Sequence, residues 1–137
     1  MASKIFVNLP VKDLEKTKEF FGKLGYTFNP QFTDENAACL VINENIFAML
    51  LVESFFKTFT SKELVDAKKS TEVLVALSVD SRKEVDELVN KAIAAGGKEV
   101  REAQEYRFMY GRDFEDLDGH IWEIFWMDPN HVEGDKK

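Results

Sequence analysis

The chain has 137 residues, 45% hydrophobic and 31% charged, enough for one globular domain with its own core. Its net charge of −7 excludes a surface built for nucleic acid or for an anionic membrane, since both need clustered positive charge. No apolar run approaches the roughly 20 residues of a membrane span, the N-terminus lacks a secretory stretch, and Cys39 has no second cysteine to pair with, so a cytoplasmic protein with Cys39 as core filler is expected.

In chain order, "IFVNLPV" reads as a strand with Ile5, Val7, Leu9 and Val11 on an apolar face and Phe6, Asn8 and Pro10 on the other. A helix opens at the cap Asp13, carries Leu14, Thr17, Phe20, Phe21 and Leu24 on one side, and stops at Gly25. Strand-like runs follow around "YTFNPQF", "AACLVIN" and "IFAMLLV", divided by the turn signals "DEN" and "NEN". A polar stretch, residues 54–71, reads as a surface connection anchored by Phe55, Phe56 and Phe59, with a short helix near "SKELVDA". A second strand leads to a helix capped by Ser81 with Glu84 three residues on, carrying Val85, Leu88, Val89, Ala92 and Ile93 and ending in Gly96 and Gly97. Three more runs follow, around "KEVREA", "FMYGRDF" and "HIWEIFW", the last preceded by the turn "DLDG".

The order β-α-β-β-β thus occurs twice. Residues 5–24 lie over residues 73–92 without a gap, an offset of 68, with Leu9 on Leu77 and Val11 on Val79. The last strands align as residues 44–51 over 119–126, an offset of 75, which sets Ala48 opposite Glu123. One domain is expected, with module one at about 4–53, a linker at 54–71, module two at about 72–128 and a polar tail at 129–137.

With its opening "LPVKDLEKTKEFF" and its closing "FEDLDGHIWEIFW", the chain resembles the vicinal oxygen chelate superfamily, which includes glyoxalase I, the extradiol dioxygenases and the fosfomycin and bleomycin resistance proteins. The resemblance implies an α+β fold in which two tandem βαβββ modules form a curved mixed sheet with a central cavity, and it implies a homodimer. Metal-dependent members of the family resemble one another in four inward positions that hold a divalent cation. Here those positions fall on Phe6, Ala48, Leu74 and Glu123. Three of the four offer no lone pair, and one carboxylate is too weak a site to retain a catalytic ion, so no cofactor is expected. A divalent metal (Ni, Zn, Mn or Fe) is the alternative.

An ionised carboxylate on an apolar strand needs a partner or a wet face. Glu123 is therefore the candidate catalytic residue, a general base among Ile121, Phe125 and Phe6, or else a remnant neutralised by Arg112 on the neighbouring strand. The candidate ligand-binding residues are Phe6, Asn8, Ala48, Leu74, Tyr110, Arg112 and Phe125, with no metal ligand among them. His120 and His131 read as surface histidines. An apolar cavity with a few convergent polar groups suits metal-independent binding of a small, partly apolar molecule. The alternatives are a divergent lyase or isomerase using Glu123, and a dimeric interaction module.

Overall fold

The computed structural model describes residues 3–130, and the chain divides into two compact units that meet between Thr71 and Glu72. In the first unit, β1 (Ile5–Val11) leads into α1 (Leu14–Lys23). The Asp13 carboxylate accepts from Lys16 N–H at 3.1 Å, and the helix ends where Gly25 takes a φ of +102°, which a residue with a Cβ adopts only at a cost. The second strand is shorter than "YTFNPQF" suggests. Only Thr27–Phe28 pair, as β2, because Asn29 accepts from Gln31 N–H at 2.9 Å and starts a 3₁₀ turn at Pro30. Then come β3 (Ala37–Val41) and β4 (Ile46–Val52), giving a sheet of order β1-β4-β3-β2 in which β1 and β4 run parallel. The short helix of the connection is α2 (Glu53–Phe56), directly after β4; "SKELVDA" contains none.

The second unit repeats this plan: β5 (Leu74–Ser78), α3 (Arg82–Ala94), β6 (Lys98–Glu99), β7 (Gln104–Tyr106), β8 (Met109–Glu115) and β9 (Ile121–Met127). Its order is β5-β9-β8-β6, β7 also pairs with β8, and β5 and β9 are parallel. Ser81 caps α3 by accepting from Glu84 N–H at 3.1 Å, and the Glu84 carboxylate reaches back to Asp80 N–H at 3.0 Å. This helix is one turn longer than α1 and faces the sheet with Val85, Val89 and Ala92, all fully buried. Trp122 and Ile124 of β9 and Phe114 of β8 form the apolar layer on that side of the sheet. Among the described residues, no helix is long and apolar enough to cross a membrane.

Pairing corrects one sequence alignment. Val7 pairs with Ala48 in the first sheet and Val75 with Trp122 in the second, so Ala48 corresponds to Trp122. Asn8 pairs with Met49 and Ala76 with Glu123, so the counterpart of Glu123 is Met49, not Ala48. The "ENIFAMLL" and "GHIWEIFW" match is off by one residue, and a one-residue slip moves every side chain to the other face. The apolar residues around Ile46 and Phe47 match those around Ile121 and Trp122 well enough to hide the slip.

Candidate functional site

The face that carries Glu123 is set by the ladder of the second sheet. Glu123 pairs with Ala76 on one side and Asp113 on the other, and Leu74, Ile121, Gly111 and Phe125 share the face. Leu74 is 52% exposed, so an apolar edge stands open beside the carboxylate. Gly111 keeps this surface shallow: a Cβ there would lie 3.4 Å from both Phe125 Cβ and Met109 Cε. Of the predicted residues, Glu123, Leu74 and Phe125 are therefore brought together.

Glu123 meets an arginine, but not the expected one. Arg101 donates from Nε to Asp113 Oδ2 at 2.5 Å, and its terminal nitrogen lies 3.8 Å from Glu123 Oε2. Asp113 is buried, with 7% of its side chain exposed, while Arg101 is 53% exposed and Glu123 29%. Arg101 reaches this face because the strand that should carry it is interrupted. Glu99 pairs with Phe114 and Gln104 with Gly111, so the four residues from Val100 to Ala103 stand opposite only Arg112 and Asp113. A regular strand would send Arg101 to the α3 side with Glu99; the bulge turns it to the Asp113 side. Neither Arg101 nor Asp113 was singled out from the sequence. Counting the hairpin outward from Asp118 would have placed Asp113 opposite Glu123, whereas nothing in "EVREAQ" announces the bulge.

Tyr110 and Arg112 lie on the opposite face, against α3, which removes them from the Glu123 cluster. The Tyr110 hydroxyl donates to Asp86 Oδ1 at 2.6 Å. Arg112 clasps Glu99 through Nε and a terminal nitrogen at 2.9 and 3.0 Å, and its other terminal nitrogen reaches Asp86 at 2.9 Å and Asn90 at 3.0 Å. The Glu99 clasp raises the Arg112 pKa further, and Asp86 adds to it. The Tyr110 hydrogen bond, seconded by Arg112, holds the Asp86 carboxyl below its ordinary range, and the same bond with burial pushes the Tyr110 phenol up. This network ties α3 to β8. Alternation puts Tyr110 and Arg112 an odd number of residues from Asp113 and hence on the far side of the sheet.

In the first unit, Phe6 stacks on Phe47 with ring centroids 4.8 Å apart, and the Asn8 amide donates to Phe6 O, two residues back, at 3.4 Å. Ala48 is 1% exposed on the other face, among Leu9, Leu50 and Leu40, so it is core rather than site lining.

The turn before β9 also differs from expectation. His120 is buried, at 8% exposure, while His131 lies outside the described residues. Asp116 organises this turn by accepting from Asp118 N–H and His120 N–H at 3.0 Å each and from the Trp122 indole N–H at 3.0 Å. Burial raises the Asp116 pKa, opposed by His120 and by these bonds.

Among the described residues, no three His, Cys, Asp or Glu side chains converge as a metal-binding group. Residues 4–43 match the family model described as bleomycin resistance protein-like N-terminal. No curated protein matches the chain. The solved structure of a hypothetical protein from S. aureus is 34% identical, covering 92% of this chain and 95% of that one, with a TM-score of 0.77. A glyoxalase/bleomycin resistance protein/dioxygenase family enzyme from Burkholderia phytofirmans is 18% identical over 92% of this chain and 99% of its own, also with a TM-score of 0.77. A fosfomycin resistance protein from Listeria monocytogenes, solved with Mn(II) and sulfate ion, shares the fold at 18% identity and a TM-score of 0.68, covering 94% of this chain and 93% of its own. The paired βαβββ units, the match at residues 4–43 and these likenesses together establish that the chain belongs to the vicinal oxygen chelate superfamily, the group of glyoxalase, bleomycin resistance and dioxygenase proteins.

Proposed function

We propose that the protein binds a small, partly apolar molecule on the Glu123 face of its second sheet and does so without a resident metal. The observation that carries this reading is the state of Glu123. Its carboxylate is 71% covered, accepts no hydrogen bond among the described residues, and has an arginine at 3.8 Å beside an apolar edge formed by Leu74, Ile121 and Phe125. A partly covered carboxylate whose one protein partner stands beyond hydrogen-bond length is a natural place for a ligand donor. Metal independence is supported by the neighbours. Leu74 and Ala76 offer no donor, Asp113 is taken by Arg101, and the guanidinium would repel a cation placed at Glu123. The residues present therefore do not fit a divalent ion.

Equilibrium titration of the full chain with small aromatic compounds tests the binding reading, with Glu123→Leu expected to weaken binding by about tenfold, the worth of one hydrogen bond to a charged group. Metal analysis of protein purified without chelator is expected to find less than stoichiometric Ni, Zn, Mn and Fe. A stoichiometric metal would instead favour a lyase or isomerase with Glu123 as base, the reading encouraged by the Mn(II) in the L. monocytogenes protein of the same fold. We also infer a cytoplasmic homodimer, for which sedimentation equilibrium should return twice the chain mass.

A further inference from the structure

Two incomplete hydrogen-bonding groups stand side by side on the Glu123 face. Asp113 holds Arg101 by Nε alone, so among the described residues the terminal nitrogens of Arg101 donate no hydrogen bond to protein. Glu123 accepts none, and the 3.8 Å between them exceeds hydrogen-bond length. Each group therefore keeps its capacity while pointing at the other. We propose that Arg101 and Glu123 together read the edge of a neutral amide, the ligand's carbonyl oxygen accepting from Arg101 and its N–H donating to Glu123, with the apolar body on Leu74, Ile121 and Phe125. This rests on the binding reading above and gives it a ligand class.

Charge selects the neutral head. The Asp113–Arg101 pair cancels internally, but its cation remains beside the approach to Glu123. A ligand anion is repelled by the Glu123 carboxylate, and a ligand cation, though it can pair with Glu123, lies close to the guanidinium charge and has no acceptor to offer the terminal nitrogens of Arg101. A primary amide or a lactam presents donor and acceptor next to each other with no net charge, and fills both vacancies at once. Asp113 acts as a positioning residue. It fixes the guanidinium plane, so the ligand need not pay the entropy of ordering an exposed arginine. The bulge between β6 and β7 is what brings that arginine here.

The test uses three probes with the same body, phenylacetamide, phenylacetate and 2-phenylethylamine, titrated into the full chain by calorimetry. Phenylacetamide is expected to bind at least about tenfold more tightly than either ion, one hydrogen bond to a charged group being worth about that factor. In Arg101→Met the amide should weaken by about tenfold while 2-phenylethylamine gains, because its repeller is gone; in Glu123→Leu the gain should pass to phenylacetate. Asp113→Asn should weaken the amide without reversing the preference. Because Arg101→Met leaves the buried Asp113 carboxylate without its cation, Arg101→Lys, which keeps the charge but lacks the forked nitrogens, is measured beside it and is expected to keep the wild-type circular dichroism spectrum while weakening the amide. Ion binding as tight as amide binding in the wild type, or a ranking unmoved by both variants, overturns the amide assignment while leaving ligand binding in place. If none of the three probes binds, the binding reading falls with it.

Discussion

Arg101 and Arg112 enter the same sheet from neighbouring strands, and their surroundings separate their roles. Arg112 is 11% exposed and all of its guanidinium nitrogens are engaged, by Glu99, Asp86 and Asn90. Replacing it with Met would break its hydrogen bonds to Asp86, Glu99 and Asn90, whose acceptors stay reachable by water, and should lower unfolding free energy by about 1–2 kcal/mol in urea titration, whereas Arg101→Met, which leaves the buried Asp113 carboxylate without its cation, should cost about 3 kcal/mol. The same network sets a pH dependence. The Asp86 carboxyl is held below its unfolded value, so it contributes stability above about pH 4 that disappears as pH falls through the folded value. Asp86→Asn should flatten the acid side of a stability–pH curve, measured between pH 2 and 5. At this scale the sequence was partly readable. Glu123 was identified as needing a partner, and the partner is an arginine, but alternation alone already sends Arg112 to the other face from Asp113.

Helices and caps were the legible elements. Asp13, Ser81, Gly25 and Gly96 delimit α1 and α3 where local chemistry demands it, because capping and positive φ depend on residues within one turn. Gly96 has a φ of +114°, and a Cβ there would sit 3.2 Å from Leu117 Cδ2, so Gly96→Ala should cost about 1–2 kcal/mol by thermal unfolding. Strand register was less legible. The alignment of β4 with β9 rests on Ile46 over Ile121 and Phe47 over Trp122 within mostly apolar runs, and such runs carry little phase. The bulge at Val100–Ala103 was invisible for a related reason, since its residues read as ordinary strand. Deleting two residues from it should return Arg101 to the α3 side, keep the circular dichroism spectrum of the wild type, and remove the preference for phenylacetamide.

For the whole molecule, duplication of the βαβββ plan was readable because the offset of 68 preserves caps and faces from β1 through α3. The net charge of −7 predicts no retention on duplex DNA at low salt, where counterion release would otherwise be strongest. Family membership left the chemistry open, because function in a shared fold lies in the side chains of the site. In this chain those side chains are an arginine reached through a bulge and a carboxylate whose counterpart in the first unit is Met49.

One further property follows from where the rarest residues fall. Cys39, the single thiol, is fully buried in β3 of the first unit, and burial pushes its pKa up, so a thiol reagent reaches it only when that unit opens. Both tryptophans, Trp122 and Trp126, belong to β9 of the second unit. The wild-type chain thus carries a chemical clock in one half and a fluorophore in the other, and the opening of each half can be timed in one sample with no label attached.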